Sequence, residues 1–266
     1  MEKKAAVIQY PGSNCEYETA RALREVGIYA EIFRWNRSVD ELDEFDAYVI
    51  GGGFSYQDRV RAGVIAAKEP IMGKVMEEAE KGKPVLGICN GAQVLVESGM
   101  IPGNNFGEVE MALATNIMKR KGRIVRRGYY CDWVYLLSSS KKARCAFNLG
   151  IEKGEILPMP MAHAEGRFTT TKKGLLDELI ANDQIVFRYS NEDGDVIDEF
   201  PVNPNGSLSN IAAVCNPKGN VMAIMPHPER AFHPWQTPYF VEKKGMGRKL
   251  FESLAAFLKG DRDGAL

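Results

Sequence analysis

Short apolar runs, each closed by glycine or proline or followed by polar residues, alternate with amphipathic segments in the first third of the chain. Four of these runs are rich enough in β-forming residues to predict buried strands. They are "KAAVIQY" (4–10), "YAEIFRW" (29–35), "AYVIGGG" (47–53) and "KPVLGIC" (83–89). Since the intervening segments include predicted helices, the pattern predicts a parallel sheet with right-handed crossovers.

Two helices are predicted between these strands. In the first, apolar residues recur at helical spacing within 15–27, and Ser13 or Asn14 is the predicted N-cap. The second is predicted to run unbroken from about 60 to 80. The acidic stretch at 40–46 is predicted to be a solvated helical turn.

From about residue 106 the pattern changes to longer apolar stretches separated by turn residues, with little helix between them. These stretches are "RIVRRGYYCDWVYLL" (123–137), "GEILPMPMAHAEGRF" (154–168), "QIVFRYS" (184–190) and "AAVCNPKGNVMAIMPHPE" (212–229). We expect them to extend the same sheet in antiparallel fashion, with peripheral hairpins, before a last helix within 245–260. No linker, repeat or low-complexity tract divides the sequence, so residues 1–266 are predicted to form one α/β domain.

Composition is typical of a soluble globular protein. Of the 266 residues, 45% are hydrophobic and 26% charged, and the formal net charge is -1. This balance gives no general attraction to nucleic acid or to an acidic membrane. The sequence has no run of about 18 apolar residues, and its first apolar run is too short for a secretory signal. We therefore expect a cytoplasmic protein that binds neither nucleic acid nor membrane.

The five cysteines are widely spread and form no C-x-x-C motif. They are Cys15, Cys89, Cys131, Cys145 and Cys215. This spacing argues against a disulfide framework and against a structural zinc site. Most of the five are expected to be small buried residues in a reducing compartment.

Cys89 differs from the others because its surroundings have the form of a nucleophile elbow. Gly87 and Gly91 flank it in "GICNG", where a predicted strand turns into a helix. A sharp turn of this kind crowds the neighbouring residues and leaves no room for their Cβ atoms. Because a helix N-terminus favours the thiolate, Cys89 is predicted to be a nucleophile rather than a structural cysteine.

A cysteine nucleophile needs a base and a group that orients the base. His227 follows a predicted strand in "MPHPER", and Glu229 lies two residues further on. Residues two apart in extended chain project to the same side, so the carboxylate can reach the imidazole. A surface turn is an equally good interpretation of His-Pro-Glu alone. Cys89, His227 and Glu229 form the candidate triad.

An acyl-transfer site also needs hydrogen-bond donors for the developing oxyanion. The N–H of Asn90 is one candidate, because it begins the elbow helix. The second is the N–H of Gly53 in "IGGGFS", with Gly52 or Phe54 as alternatives. A tight turn is the other interpretation, and three consecutive glycines argue against it. The turns that carry these residues follow predicted strands, so they are expected to meet at one edge of the sheet.

Several blocks of sequence resemble a known family. "PVLGICNGAQ" resembles the signature of class I glutamine amidotransferases, and "MPHPER" resembles their paired histidine and glutamate. Further blocks between residues 11 and 230 resemble the glutaminase subunits of phosphoribosylformylglycinamidine synthase, an enzyme of purine biosynthesis. The resemblance implies a flavodoxin-like, mostly parallel sheet. It also implies that Cys89 forms a thioester with the side chain of glutamine, that His227 transfers protons, and that Glu229 orients His227.

The resemblance also implies partners. Ammonia would pass to a separate ATP-dependent synthetase subunit that converts formylglycinamide ribonucleotide to formylglycinamidine ribonucleotide, and a third small subunit would bridge the two. ATP and magnesium would belong to the synthetase, so no metal or cofactor is expected on this chain. Gln93 is a candidate substrate contact. His163 and Arg167 would line the glutamine pocket or the subunit interface, or simply support the sheet.

Two residues depart from the family pattern, and one segment matches it less well. Gln57 and Ala164 stand where glycine is more common, which is expected to alter backbone geometry without removing a catalytic group. The segment from about 113 to 155 matches less well, and it contains residues 119–127, in which six of nine residues are basic. A solvated hairpin is favoured there over a nucleic-acid site, and partner docking is a third interpretation. The alternative functions for the chain are a stand-alone cysteine hydrolase and a non-enzymatic binding protein.

Overall fold

A nine-stranded sheet forms the centre of the protein in the computed structural model, which describes residues 2–238 and 245–261. In chain order the strands are β1 (Lys4–Gln9), β2 (Tyr29–Arg34), β3 (Ala47–Ile50), β4 (Val85–Ile88), β5 (Ala112–Ala114), β6 (Ile117–Arg120), β7 (Arg123–Arg127), β8 (Tyr130–Ser138), β9 (Ile156–His163), β10 (Arg167–Thr169), β11 (Ile185–Ser190), β12 (Ile211–Cys215) and β13 (Val221–Ile224). The helices are α1 (Glu16–Glu25), α2 (Pro70–Glu80), α3 (Asn90–Glu97), α4 (Leu175–Ala181) and α5 (Arg248–Lys259).

The sheet has a parallel half and an antiparallel half. Its strand order is β2-β1-β3-β4-β13-β12-β11-β8-β9. The first five strands pair in parallel, and each later neighbour is antiparallel. Two small sheets stand apart from it, β5 with β10 and β6 with β7. The predicted mostly parallel sheet with an antiparallel extension is confirmed.

Burial follows from the position of each strand in the sheet. Every residue of β3, β4 and β13 is buried, which indicates that both faces of the sheet are covered there. In β9 the buried residues alternate with half-buried ones, as expected where one face is more open. The apolar core therefore covers both faces of these central strands, and it continues into the antiparallel half, where β12 is also buried throughout.

Four turns lie at one edge of this half. β1, β3, β4 and β13 are adjacent parallel strands, so their carboxyl ends point the same way. The turns that follow them begin at Tyr10, Gly51, Cys89 and Met225. The edge predicted to hold the reactive groups is therefore present.

The single helix predicted over 60–80 is wrong. A short 3₁₀ turn occupies Ala66–Lys68, and α2 begins only at Pro70. Proline disfavours a helical conformation in the residue before it, and Glu69 has an extended backbone with φ −66° and ψ 145°. Pro70 itself occupies the first turn of the helix, where its missing N–H is not needed.

The predicted N-cap of the first helix is also wrong. Cys15 occupies the cap position and makes no side-chain cap hydrogen bond. The two expected caps have other partners, because Ser13 Oγ accepts the N–H of Tyr10 at 3.0 Å and Asn14 Oδ1 accepts the thiol of Cys15 at 3.1 Å. The turn is thus fixed by its own side chains, and Cys15 is brought to the edge of the sheet.

Two long strands predicted in the second half are interrupted. Gly128, at φ +86°, separates β7 from β8, so β7 folds back on β6 and leaves the main sheet. The turn at 164–166 separates β9 from β10. α4 was not expected, because its seven residues are too short to give a clear helical period.

None of the helices in the described ranges combines the length and the apolar character needed to cross a bilayer.

Candidate active site

Cys89 lies at the sharp turn between β4 and α3. Its backbone has φ 52° and ψ −105°, a conformation that L-residues rarely adopt and that costs about 1–3 kcal/mol. It occupies the N-cap of α3, and its N–H donates to the carbonyl of Ile224 at 2.8 Å. This strained strand-to-helix turn is the geometry of a nucleophile elbow.

The glycines on either side of Cys89 allow close packing of the elbow. A Cβ atom on Gly91 would lie 1.9 Å from the carbonyl oxygen of Ile50 on β3. A Cβ atom on Gly87 would lie 2.5 Å from the carbonyl oxygen of Gly91. Both contacts are with backbone, which cannot rotate away as a side chain can. The elbow therefore requires glycine at both positions.

Gly91→Ala is expected to lower the free energy of unfolding by about 3 kcal/mol. The added Cβ atom would overlap the backbone of β3 at the centre of the sheet, so the backbone would have to shift. Gly73→Ala is the matched control. Gly73 lies inside α2, and a Cβ atom there would meet nothing within 4 Å, so alanine should be neutral or stabilise by about 0.5–1 kcal/mol. Urea unfolding of both variants measures the difference, and equal effects would contradict this account of the elbow.

His227 and Glu229 form a buried hydrogen-bonded pair. Glu229 Oε1 lies 2.5 Å from His227 Nδ1, and both side chains are almost fully buried. The backbone of His227 is extended, and residues Pro228–Arg230 then form a 3₁₀ turn that carries the carboxylate to the ring. The N–H of His227 donates to the carbonyl of Pro160 on β9 at 2.8 Å. The pair predicted from "HPE" is thus present, with a tighter turn than expected.

Nearby groups favour the protonated form of His227. Burial alone lowers the pKa of this imidazole, but the Glu229 carboxylate and the sulfur atoms of Cys89 and Cys15 raise the pKa well above its usual value. The site therefore favours an imidazolium at His227, next to Cys89.

Gly52 lies where three functional side chains converge. A Cβ atom on Gly52 would lie 2.8 Å from His227 Cε1, 3.0 Å from Cys15 Sγ and 3.5 Å from Cys89 Cβ. No larger residue fits without displacing the imidazole. Gly52 therefore shapes the site by the absence of a side chain.

Two backbone N–H groups face no acceptor within the described ranges. They belong to Gly53, whose φ of +143° favours glycine, and to Asn90, the first residue of α3. The side chain of Asn90 ties the two turns together, because its Oδ1 accepts the N–H of Ser55 at 3.1 Å. These are the two donors predicted for an oxyanion.

A small pocket opens beside Cys89. It is lined by Gly53, Phe54, Asp58, Cys89, Gln93, Ala162, His163, Ala164 and Glu165. The structure therefore brings four further predicted site residues, Gly53, Phe54, Gln93 and His163, to the same pocket as Cys89. The side chain of Gln93 already has internal partners, since it accepts from Asn90 Nδ2 at 2.8 Å and donates to the Glu165 carbonyl at 2.7 Å.

Arg167 is not among the residues that line this pocket. It lies on β10, where its Nε donates to the carbonyl of Thr115 at 3.0 Å. Among the three predicted roles of Arg167, the structure favours support of a sheet, here the small sheet of β5 and β10.

His163 is a neutral residue in the wall of the pocket. Burial, followed by the charge of His227, lowers its pKa to about 3. Its Nδ1 faces the side-chain amide of Asn116 at 3.2 Å, while its Nε2 is buried without a hydrogen-bond partner among the described residues. His163 can therefore offer one uncharged polar atom to a ligand.

Asp58 and Glu165 place two carboxyl groups in the same pocket, and the sequence did not single them out. Burial, followed by the charge of Glu165, raises the pKa of Asp58 to about 6. Asp58 ends a run of three residues with positive φ, in which Gln57 has φ 62°. A preference for glycine at the position of Gln57 is explained by this left-handed conformation. Ala164 is not among the residues with positive φ.

Cys15 is a second thiol beside His227. Its sulfur, an imidazole nitrogen of His227 and a carboxylate oxygen of Glu229 all lie within 4.8 Å of one another. Arg230 Nη2 donates to the sulfur at 3.0 Å, and burial raises the pKa of the thiol. Cys15 follows the first predicted strand in "YPGSNC", and no motif around it distinguishes it from a buried structural cysteine.

Comparisons with known proteins identify the family of this chain. A family model described as "CobB/CobQ-like glutamine amidotransferase domain" matches residues 2–258. The phosphoribosylformylglycinamidine synthase subunit PurQ of Methanothrix thermoacetophila is 55% identical over 263 residues, which cover 97% of this chain and 99% of that protein. The subunit of the same name from Pyrococcus furiosus is 40% identical over 256 residues, covering 96% and 99%.

A solved structure has the same fold. A chain in the "Structure of PurLQS from Thermotoga maritima" is 32% identical, with a TM-score of 0.73 over 97% of this chain and 100% of that chain. The sheet order and the elbow at the end of β4 agree with a class I glutamine amidotransferase fold. The chain belongs to the family of CobB/CobQ-like glutamine amidotransferase domains.

Proposed function

We propose that this protein is the glutaminase subunit of a phosphoribosylformylglycinamidine synthase in purine biosynthesis. It hydrolyses glutamine and supplies ammonia to a separate ATP-dependent synthetase subunit, with a small subunit bridging the two. The observation that carries the proposal is the Cys89 elbow beside the buried His227–Glu229 pair, in a chain that matches proteins of that name over nearly its whole length.

In the proposed first half-reaction, the Cys89 thiolate attacks the side-chain carbonyl carbon of glutamine. The N–H groups of Gly53 and Asn90 stabilise the oxyanion of the tetrahedral intermediate. As the intermediate collapses, the His227 imidazolium protonates the departing nitrogen, so that ammonia leaves and a γ-glutamyl thioester remains on Cys89.

In the second half-reaction, His227 is neutral and accepts a proton from water. The resulting hydroxide attacks the thioester carbonyl, and the same two N–H groups stabilise the second oxyanion. Collapse expels the Cys89 thiolate and releases glutamate. Glu229 fixes the orientation of His227 and stabilises each imidazolium state.

Cys89 is the proposed nucleophile, although Cys15 is also close to His227. Cys15 donates its own proton to Asn14 and accepts from Arg230, and its burial favours the neutral thiol. It also does not line the pocket that Cys89 shares with the oxyanion donor Gly53. Cys15 therefore supports the imidazole and Arg230.

We propose that the chain itself needs no metal or cofactor, and that ATP and magnesium act on the synthetase. Cys15, His227 and Glu229 could in principle ligate a cation. The Arg230 guanidinium opposes this, because it lies 3.0 Å from the Cys15 sulfur and 4.0 Å from the Glu229 carboxylate. The proposed unit is one domain over residues 1–266. It acts in the cytoplasm, which agrees with five cysteines that form no disulfide.

Glutamate release measured with and without partners tests the proposal. The purified chain is expected to hydrolyse glutamine weakly alone and faster with the synthetase, the small subunit, formylglycinamide ribonucleotide and ATP. The alternative is a stand-alone cysteine hydrolase on the same scaffold. Turnover of peptides or esters, with no stimulation by the synthetase, would contradict the proposal and favour that alternative.

A further inference from the structure

β6 and β7 form a hairpin whose positive charge is not neutralised. We call residues 117–127 the basic hairpin. Met118 is fully buried and anchors it, whereas every residue from 119 to 127 is exposed. The exposed residues include Lys119, Arg120, Lys121, Arg123, Arg126 and Arg127. Since the whole chain has a formal net charge of -1, the rest of the protein outside the basic hairpin is net negative.

These six residues differ from many other basic residues of the protein because their side chains form no ion pairs within the described ranges. Side chains such as Lys3, Lys83 and Lys172 lie beside carboxylates. In the part of the chain that the structure describes, none of the six side chains forms an ion pair, although the Glu199 carboxylate accepts the backbone N–H of Lys121 at 3.0 Å. Arg126 is held by its own hairpin, where it donates to the Tyr129 carbonyl at 2.9 Å. The other five side chains are free to meet an acidic partner.

The same surface also exposes apolar side chains. Ile124 is 46% exposed, Val125 is 54% exposed, and Tyr129, just beyond the hairpin, is 49% exposed. Of these three side chains only Tyr129 has a ring on which a base can stack, whereas all three gain from burial against another protein. This combination favours a protein partner over a nucleic acid.

β7 has an unpaired edge. The edge of β6 is covered, because the carbonyl of Lys119 accepts the N–H of Phe200 at 2.7 Å and the N–H of Ile117 donates to the carbonyl of Asn205 at 2.9 Å. Within the described ranges, the backbone of 123–127 makes hydrogen bonds only to β6. Such an edge can accept a strand from another chain.

Asn116 joins the base of the basic hairpin to the wall of the glutamine pocket. It is fully buried, and its side-chain amide donates to the carbonyls of His163 at 2.7 Å and Gly128 at 3.1 Å. Its Oδ1 accepts the N–H of Gly166 at 2.9 Å, and its own N–H donates to the carbonyl of Ala164 at 2.8 Å. The basic hairpin therefore stands beside residues 162–165, which line the pocket.

We propose that the basic hairpin is the docking surface for an acidic face of the ammonia-accepting synthetase. The inference rests on the proposed function, in which released ammonia must reach a second active site. Because ammonia is lost to water at an open pocket, the acceptor has to contact the rim of that pocket. The basic hairpin is fixed to this rim. Its five free cations attract an acidic face, while Ile124 and Val125 become buried in the contact.

Charge reversal of the full-length chain tests the proposal. R120E/R123E/R127E is compared with R120Q/R123Q/R127Q and with the control K68E/K153E/K173E, which changes three exposed lysines elsewhere. The probe is the synthetase of the same organism together with its small subunit. Calorimetry at low and high salt gives the dissociation constants, and glutamate release without partners gives the basal activity.

The reversed variant is expected to bind at least about 100-fold more weakly, since like charges placed face to face cost several kcal/mol, and the glutamine variant should be intermediate. The control should bind within about threefold of wild type, because exposed charges outside a contact contribute little. Basal activity should be unchanged in all three variants, and the wild type should lose affinity at high salt.

Two results would overturn the inference while leaving the proposed function intact. One is unchanged affinity of the reversed variant for the synthetase. The other is that the wild type binds single-stranded RNA and the reversed variant does not, while both bind the synthetase equally. That result would make the basic hairpin a nucleic-acid surface. Failure of the wild type to bind or respond to the synthetase would instead contradict the proposed function itself.

Discussion

Replacing Cys89 by alanine is expected to lower the rate of glutamine hydrolysis by a factor on the order of 10⁵ or more, with or without the partner subunits. The thioester cannot form without the thiolate, and no other group in the pocket offers an equivalent nucleophile at the elbow. Steady-state release of glutamate measures the loss. The variant should keep its fold, because the smaller side chain leaves the backbone of the elbow unchanged.

Cys15→Ala is the matched control for this prediction. It removes the other thiol beside His227 and one hydrogen-bond acceptor of Arg230. A cysteine sulfur is a weak hydrogen-bond acceptor even for a guanidinium, so its loss should cost about 1 kcal/mol and the rate should fall by no more than about tenfold. If Cys15→Ala abolished activity and Cys89→Ala retained it, the roles of the two cysteines would have to be exchanged.

Glu229→Gln is expected to lower kcat by about 10²- to 10⁴-fold with a small change in KM. The glutamine side chain keeps the size of the residue but removes the negative charge that orients and stabilises the imidazolium of His227. Glu229→Asp keeps the charge and should recover part of the rate. Equal activity of Glu229→Gln and wild type would show that the buried pair has no part in the reaction.

The pH profile separates this role from a purely structural one. Burial lowers the pKa of His227, and the Glu229 carboxylate is the main group that raises it. Removing the carboxylate leaves the effect of burial, so the pKa of His227 should fall. The limb of the kcat/KM profile that reports loss of the imidazolium should move to lower pH. A profile that changes in height without moving would contradict the proposed electrostatic role.

The sheet and the triad could be predicted because their signals are local. Apolar runs closed by glycine mark the strands β1, β3 and β4, and parallel order then places their carboxyl ends together. The Gly-x-Cys-x-Gly pattern reports a steric requirement of one turn. The pairing of His227 with Glu229 depends on residues two apart. Each of these inferences needs little knowledge of distant parts of the chain.

The rest of the pocket could not be predicted because its residues meet only through the fold. Asp58 and Glu165 are distant in sequence, and Arg230 reaches Cys15 across 215 positions. The side-chain hydrogen bonds of Asn116 with Gly128 and Gly166 likewise join three separate loops. No periodic pattern or motif reports such contacts. The helix predicted over 60–80 fails for a local reason, because Pro70 disfavours a helical conformation at Glu69.

The most direct test of the central claim is to locate the covalent adduct formed with a glutamine analogue that carries an electrophile in place of its side-chain amide. The wild-type protein is treated, digested and examined by mass spectrometry, with excess glutamine as competitor. We predict a single modified cysteine, Cys89, protected by glutamine and unaffected by Cys15→Ala. An adduct on Cys15 or on another cysteine, with Cys89 unmodified, would contradict the account.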